Sequence, residues 1–115
     1  MQFDDRSFFS LSDSTKTWIS TAEHLQVVAV SGGTANTWDS AALAWERLLP
    51  ATEGTAAESE IRSRLAECRF HAWELGPTDK REDQAISALT SYLVRAPAGP
   101  KRDEAAKLLD RIRNH

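Results

Sequence analysis

The chain has 115 residues, with 14 Lys and Arg against 17 Asp and Glu, a net charge of −3, and 41% hydrophobic residues. This is the length and make-up of one globular domain, able to bury roughly two-thirds of the surface its unfolded form exposes. Acidic and basic residues are interleaved, so no uniformly basic face collects phosphates or anionic lipid, and nucleic acid is not an expected partner.

No membrane insertion is expected, because the longest apolar run, Leu25 to Val30, is interrupted at Gln26 and falls far short of a span of about 20 residues. The opening MQFDDRSFFS has neither a basic start nor an apolar stretch, so it does not read as a signal peptide, and a cytoplasmic location is the expectation. The single cysteine, Cys68, has no intrachain disulfide partner and sits in an apolar-periodic run, where it reads as a small core residue.

Residues 1–11 show no periodicity but carry Phe3, Phe8 and Phe9, and they read as an extended aromatic arm that must pack on something. Residues 12–115 read as a single helical domain. From Ser12, a capping type, Trp18, Ala22, Leu25 and Ala29 follow helical steps until Gly32 and Gly33. The valines of HLQVVAV favour a strand, but no second strand exists to pair with it, so a helix is expected.

Asn36 or Thr37 is the expected cap of a second helix bearing Trp38, Ala41, Ala42, Trp45, Leu48 and Leu49, ended by Pro50 and Gly54. Thr55 and Glu58 have capping-box spacing and open a third helix. Ile61, Leu65, Cys68 and Ala72 form one stripe on it, and Ala66, Phe70 and Trp73 form a second. A helix apolar on two sides is expected to be sandwiched. Asp79 and Glu82 repeat the capping-box spacing before a fourth helix with Ala85, Ile86, Leu89, Tyr92 and Leu93. After the loop APAGP, Pro100 suits the first turn of a fifth helix with Ala105, Leu109 and Ile112. The expected class is all-α, with about five antiparallel helices stacked as hairpins.

A shift of 44 positions places Ala41 on Ala85, Trp45 on Leu89, Leu48 on Tyr92, Ile61 on Ala105, Leu65 on Leu109 and Cys68 on Ile112. Hairpins of this size cannot bury their apolar faces alone, and stacking solves the problem. The segment AISALTSYLVRAPAGPKRDEAAKLLDRI, with small Ala88, bulky Tyr92, then Ala105, Leu109 and Ile112, resembles a tetratricopeptide-repeat hairpin. AALAWERLLPATEGTAAESEIRSRLAECR resembles the preceding unit, so the similarity spans about residues 37–114. The resemblance implies an α-solenoid fragment and a non-enzymatic adaptor or scaffold that binds a peptide or protein segment.

In such arrays the first helix of each pair lines the concave surface. That points to Asp39, Glu46, Arg47, Gln84, Ser87, Ser91 and Arg95 as partner-binding positions. Trp38, in the first turn of its helix, Trp18, and Phe8 and Phe9 of the arm are candidate aromatic anchors, because interface hot spots favour large rings. The alternative is a self-assembling subunit, a homodimer through the arm or a terminal helix.

No His-x-x-x-His, Cys-x-x-Cys or Glu-x-x-His spacing joins His24, His71 or His115 to a second ligand, so neither a metal site nor a cofactor is expected. Cys68 with His71 one turn on could form a nucleophile and base, but the packed stripe around Cys68 argues for burial, and no catalytic residue is assigned. The glycine pair in VSGGTANTW lacks a phosphate-loop pattern and reads as a helix stop.

Overall fold

A computed structural model of the protein describes residues 11–115, which form α1 Asp13–Val30, α2 Ala35–Glu46, α3 Leu49–Thr52, α4 Glu58–Leu75, α5 Asp79–Arg95 and α6 Pro100–Arg113, with no strand among them. The all-α class expected from periodicity is observed. None of these helices is long and apolar enough to cross a membrane.

Hydroxyls start three of the helices. Ser12 Oγ accepts the Thr15 N–H at 3.1 Å, Thr34 Oγ1 accepts the Thr37 N–H at 3.4 Å, and Thr78 Oγ1 accepts the Arg81 N–H at 3.1 Å. The cap of α2 is therefore Thr34 rather than Asn36 or Thr37, and that of α5 is Thr78 rather than Asp79. In both places the threonine is the last residue with extended backbone, the conformation an N-cap requires. The Thr55 and Glu58 capping box does not form. Residues between them make a further turn, Thr55 Oγ1 accepts from Ala57, and Glu58 Oε1 reaches back to the Gly54 N–H at 2.8 Å.

Pro50 ends α2 earlier than expected. Its ring has no N–H to give to the Glu46 carbonyl four residues back and collides with it, so regular helix stops at Glu46 and resumes as the short α3. Gly54, at φ +78°, turns the chain after α3. Pro100 occupies the first turn of α6 as expected.

The two stripes on α4 face two clusters. Ile61, Leu65, Cys68 and Ala72 pack with Leu11, Ile19, Trp38, Ala41 and Trp45, whereas Ala66, Phe70 and Trp73 pack with Leu89, Tyr92, Leu109 and Ile112. Leu11, the last residue assigned to the arm, thus belongs to the core. α4 lies between α2 and α5, with α1 against α2 and α6 against α5. Ion pairs fix chain direction: Glu58 at the start of α4 meets Arg95 at the end of α5, so these two run antiparallel. Lys101 with Glu60 and Arg111 with Glu74 run in the same order along α6 and α4, so those are parallel.

A candidate peptide trough over α4

α4 supplies a floor on which α2 and α5 stand apart. The central recess, of about 350 Å³, is lined by Glu46 and Leu49, by Arg62, Leu65 and Arg69 of the floor, and by Asp83, Gln84, Ser87, Ala88 and Ser91 of α5. Arg69 and Gln84 also line a neighbouring recess with Asp39, Thr78 and Lys80, and Arg62 lines another with Glu58, Tyr92 and Arg95. From Lys80 to Arg95 the trough follows α5 for about 22 Å, room for about seven residues of extended chain.

Arg69 is held from both walls, and Arg62 from its own helix and from α5. Arg69 Nη2 donates to Glu46 Oε2 at 3.0 Å and Nη1 to Gln84 Oε1 at 3.4 Å. Arg62 Nε donates to Glu58 Oε2 at 2.8 Å and Nη1 to Ser91 Oγ at 2.9 Å. Glu58 is the focus of the far end. Bonds from the Gly54 N–H, Arg62 and Arg95 hold its carboxyl down at about 2, against an ordinary 4.5, despite the opposing effect of burial. Such pairing leaves the trough polar at its rim and apolar at Leu49, Leu65 and Ala88, the combination that orients an extended peptide while desolvating part of it.

Of the expected binding positions, Asp39, Glu46, Gln84, Ser87, Ser91 and Arg95 line this trough. Arg47 does not. It faces an apolar groove between α1 and α2. Asp39 is committed to a salt bridge with Arg81 and is half-buried. Trp38 is a correction: it is 6% exposed, its ring 4.6 Å from that of His71, because it continues the Ala41, Ala42 and Trp45 stripe onto α4. The exposed tryptophan is Trp18, at 60%. Phe8 and Phe9 lie outside the described residues. Arg62 and Arg69 escaped sequence reading because charges on a helix ordinarily mark its solvated side. The available signal was the two-sided apolar pattern of α4, which forces its charges toward neighbouring helices.

Cys68 is fully buried, and burial, with a smaller contribution from the neighbouring Glu67, pushes its thiol well above the ordinary range. No family model, curated protein or solved structure matches the chain.

Proposed function

We propose that the protein is a non-enzymatic adaptor or scaffold domain that binds an extended segment of another protein in the trough over α4. The observation that carries this reading is the convergence of residues from α2, α4 and α5, 45 positions apart from Asp39 to Gln84, on adjoining polar-rimmed recesses over α4. The tetratricopeptide-like reading is supported by matched burial across the 44-residue shift. Ala41 and Ala85 are both fully buried, as are Trp45 and Leu89, and Leu48 and Tyr92 are both 3% exposed. Leu49 and Leu93 are both partly buried at their cluster edges. Burial of Cys68 sets that thiol aside as a nucleophile.

The test is selection of displayed random peptides on the immobilised full chain, followed by affinity measurement on a Gln84→Ala, Ser87→Ala, Ser91→Ala and Arg95→Ala variant. Alanine favours helix at all four positions, so folding should persist. Loss of tenfold or more in affinity is expected, and unchanged affinity removes the trough reading.

A second reading, a homodimer through the terminal helix α1, is favoured by the exposure of Val27 at 61% and Val30 at 64% on that helix. Sedimentation that shows a concentration-dependent dimer, abolished by Val27→Asp with Val30→Asp, would select it.

A further inference from the structure

The charges that line the central recess are unevenly matched. Both guanidinium groups of its floor are met by carboxylates: Arg62 by Glu58 at 2.8 Å, and Arg69 by Glu46 at 3.0 Å and Asp39 at 3.6 Å. The carboxylates are not all met. Asp83 lines the recess from α5, is exposed, and makes no hydrogen bond or ion pair with a described residue. Glu46, at the opposite wall, gives Oε2 to Arg69 and stays 53% exposed, and among the described residues its Oε1 has no partner. Lys80, one turn before Asp83 on α5, lines the neighbouring recess and forms no salt bridge with it.

We propose that the central recess selects its partner by one basic side chain, a lysine or arginine of the bound segment. Its charge pairs with Asp83 and Glu46, and its aliphatic stem lies on Leu49, Leu65 and Ala88. The inference rests on the peptide-binding reading of the trough and names the chemistry that the trough accepts.

Lysine and arginine are apolar along the stem and cationic at the tip. The recess offers the same two surfaces, since apolar Leu49, Leu65 and Ala88 lie in it together with the two acceptors. An acidic side chain in this place would face Asp83 and Glu46 as like charges, and it could reach Arg62 or Arg69 only in competition with the carboxylates they already hold. Around Glu58 the balance is reversed, because Arg62 and Arg95 share that one carboxylate. An acidic residue of the same segment belongs there, beyond the central recess.

The test is selection of displayed random peptides on the immobilised full chain and, in parallel, on Asp83→Lys. Asp83 takes no part in the contacts that join the helices, so the two proteins should share one far-ultraviolet spectrum. The native chain should enrich lysine or arginine at one position of the recovered peptides, and Asp83→Lys should favour aspartate or glutamate at that position. Exchange of the basic residue of a recovered peptide for glutamine should lower affinity about tenfold on the native chain and less on Asp83→Asn. The difference should shrink as salt is added.

Peptides with no basic position, or equal affinity of the native chain, Asp83→Asn and Asp83→Lys for a basic peptide, would overturn the proposal. If such peptides were still lost on the variant with alanine at Gln84, Ser87, Ser91 and Arg95, the trough would stand with a different specificity. Peptides indifferent to that variant, or none recovered, would remove the trough and this proposal together.

Discussion

Arg81 Nε and Nη2 both donate to Asp39 Oδ2, at 3.0 and 2.9 Å, and so tie the start of α5 to the start of α2 across 42 positions of sequence. The same guanidinium reaches the Gly76 carbonyl at 2.8 Å and Asn36 Oδ1 at 3.0 Å, stapling the α4–α5 turn to the same point. The second carboxylate oxygen, Oδ1, is buried without a hydrogen bond and faces Arg69 Nη1 at 3.6 Å. Asp39 is therefore the anion between two guanidinium groups. Its removal leaves them facing each other across the trough's end.

Asp39→Ala is accordingly expected to destabilise the fold by about 2 kcal/mol, the range for losing charged hydrogen bonds at a partly exposed site. Urea unfolding should show a lowered midpoint with an unchanged slope. A midpoint equal to that of the native chain would mean that the Arg81 contacts are decorative and that Asp39 is available to a partner.

Gln26 is expected to matter as much, although it lies in the run that first suggested a strand. Its Oε1 accepts the Trp45 indole N–H at 2.9 Å and Arg64 Nη1 at 3.4 Å, joining α1, α2 and α4. Arg64 in turn lies 5.4 Å from the Trp45 ring centre, a cation–π arrangement. Gln26→Leu preserves volume but removes this acceptor from a buried donor, at a cost of about 2 kcal/mol. Trp45→Phe should cost less in the Gln26→Leu background than in the native chain, and additivity in that double-mutant cycle would show that the two side chains are not coupled.

These two residues mark how far the sequence could be read. Helical periodicity placed the five long helices and both stripes of α4, because spacing of apolar residues reports burial directly. The hairpin-array reading, not periodicity, pointed to Gln84, Ser87 and Ser91, which line one recess. Details that depend on a single dihedral or a distant partner were not legible. Pro50 was read as a stop after Leu49, whereas its clash acts four residues earlier, on Glu46. Thr34 and Thr78 cap because the chain is extended there, a property set by the preceding turns. Asp39 was assigned to a partner because nothing near it in sequence announces Arg81, and Trp38 was offered both as a stripe residue with Ala41, Ala42 and Trp45 and as an aromatic anchor, of which its burial bears out the stripe.

Acid should act through Glu58. Its carboxyl titrates near 2 in the folded chain, against 4.5 ordinarily, with the Gly54 N–H the largest cause, followed by Arg62. A folded value below the unfolded one means that protons bind preferentially to the unfolded chain. The stabilisation is then complete above about pH 4.5 and is lost as pH falls toward 2. Because Arg95 is 53% exposed, its pair with Glu58 is screened, and a contribution of about 1 kcal/mol for the whole cluster is expected. Glu58→Gln should lower the melting temperature at pH 7 and converge with the native chain near pH 2. A constant difference across that interval would place the effect in packing.

Cys68 gives a readout of all these changes from inside the core. The thiol is buried and its ionisation disfavoured, with Glu67 adding to burial and Arg64 and Arg69 opposing it. A disulfide reagent at pH 8 should therefore modify the native chain only through opening, and the unfolded chain at once. When reclosing outpaces labelling, the rate follows the population of the open form. A loss of about 2 kcal/mol in Asp39→Ala or Gln26→Leu should then speed labelling about thirtyfold if the whole domain opens, and less if α4 is exposed by local fraying of α5 and α6. Labelling of the native chain as fast as a free thiol would contradict both the core assignment of Cys68 and the non-enzymatic reading, because an accessible, ionised thiol one turn from His71 is the pairing that a nucleophilic enzyme needs.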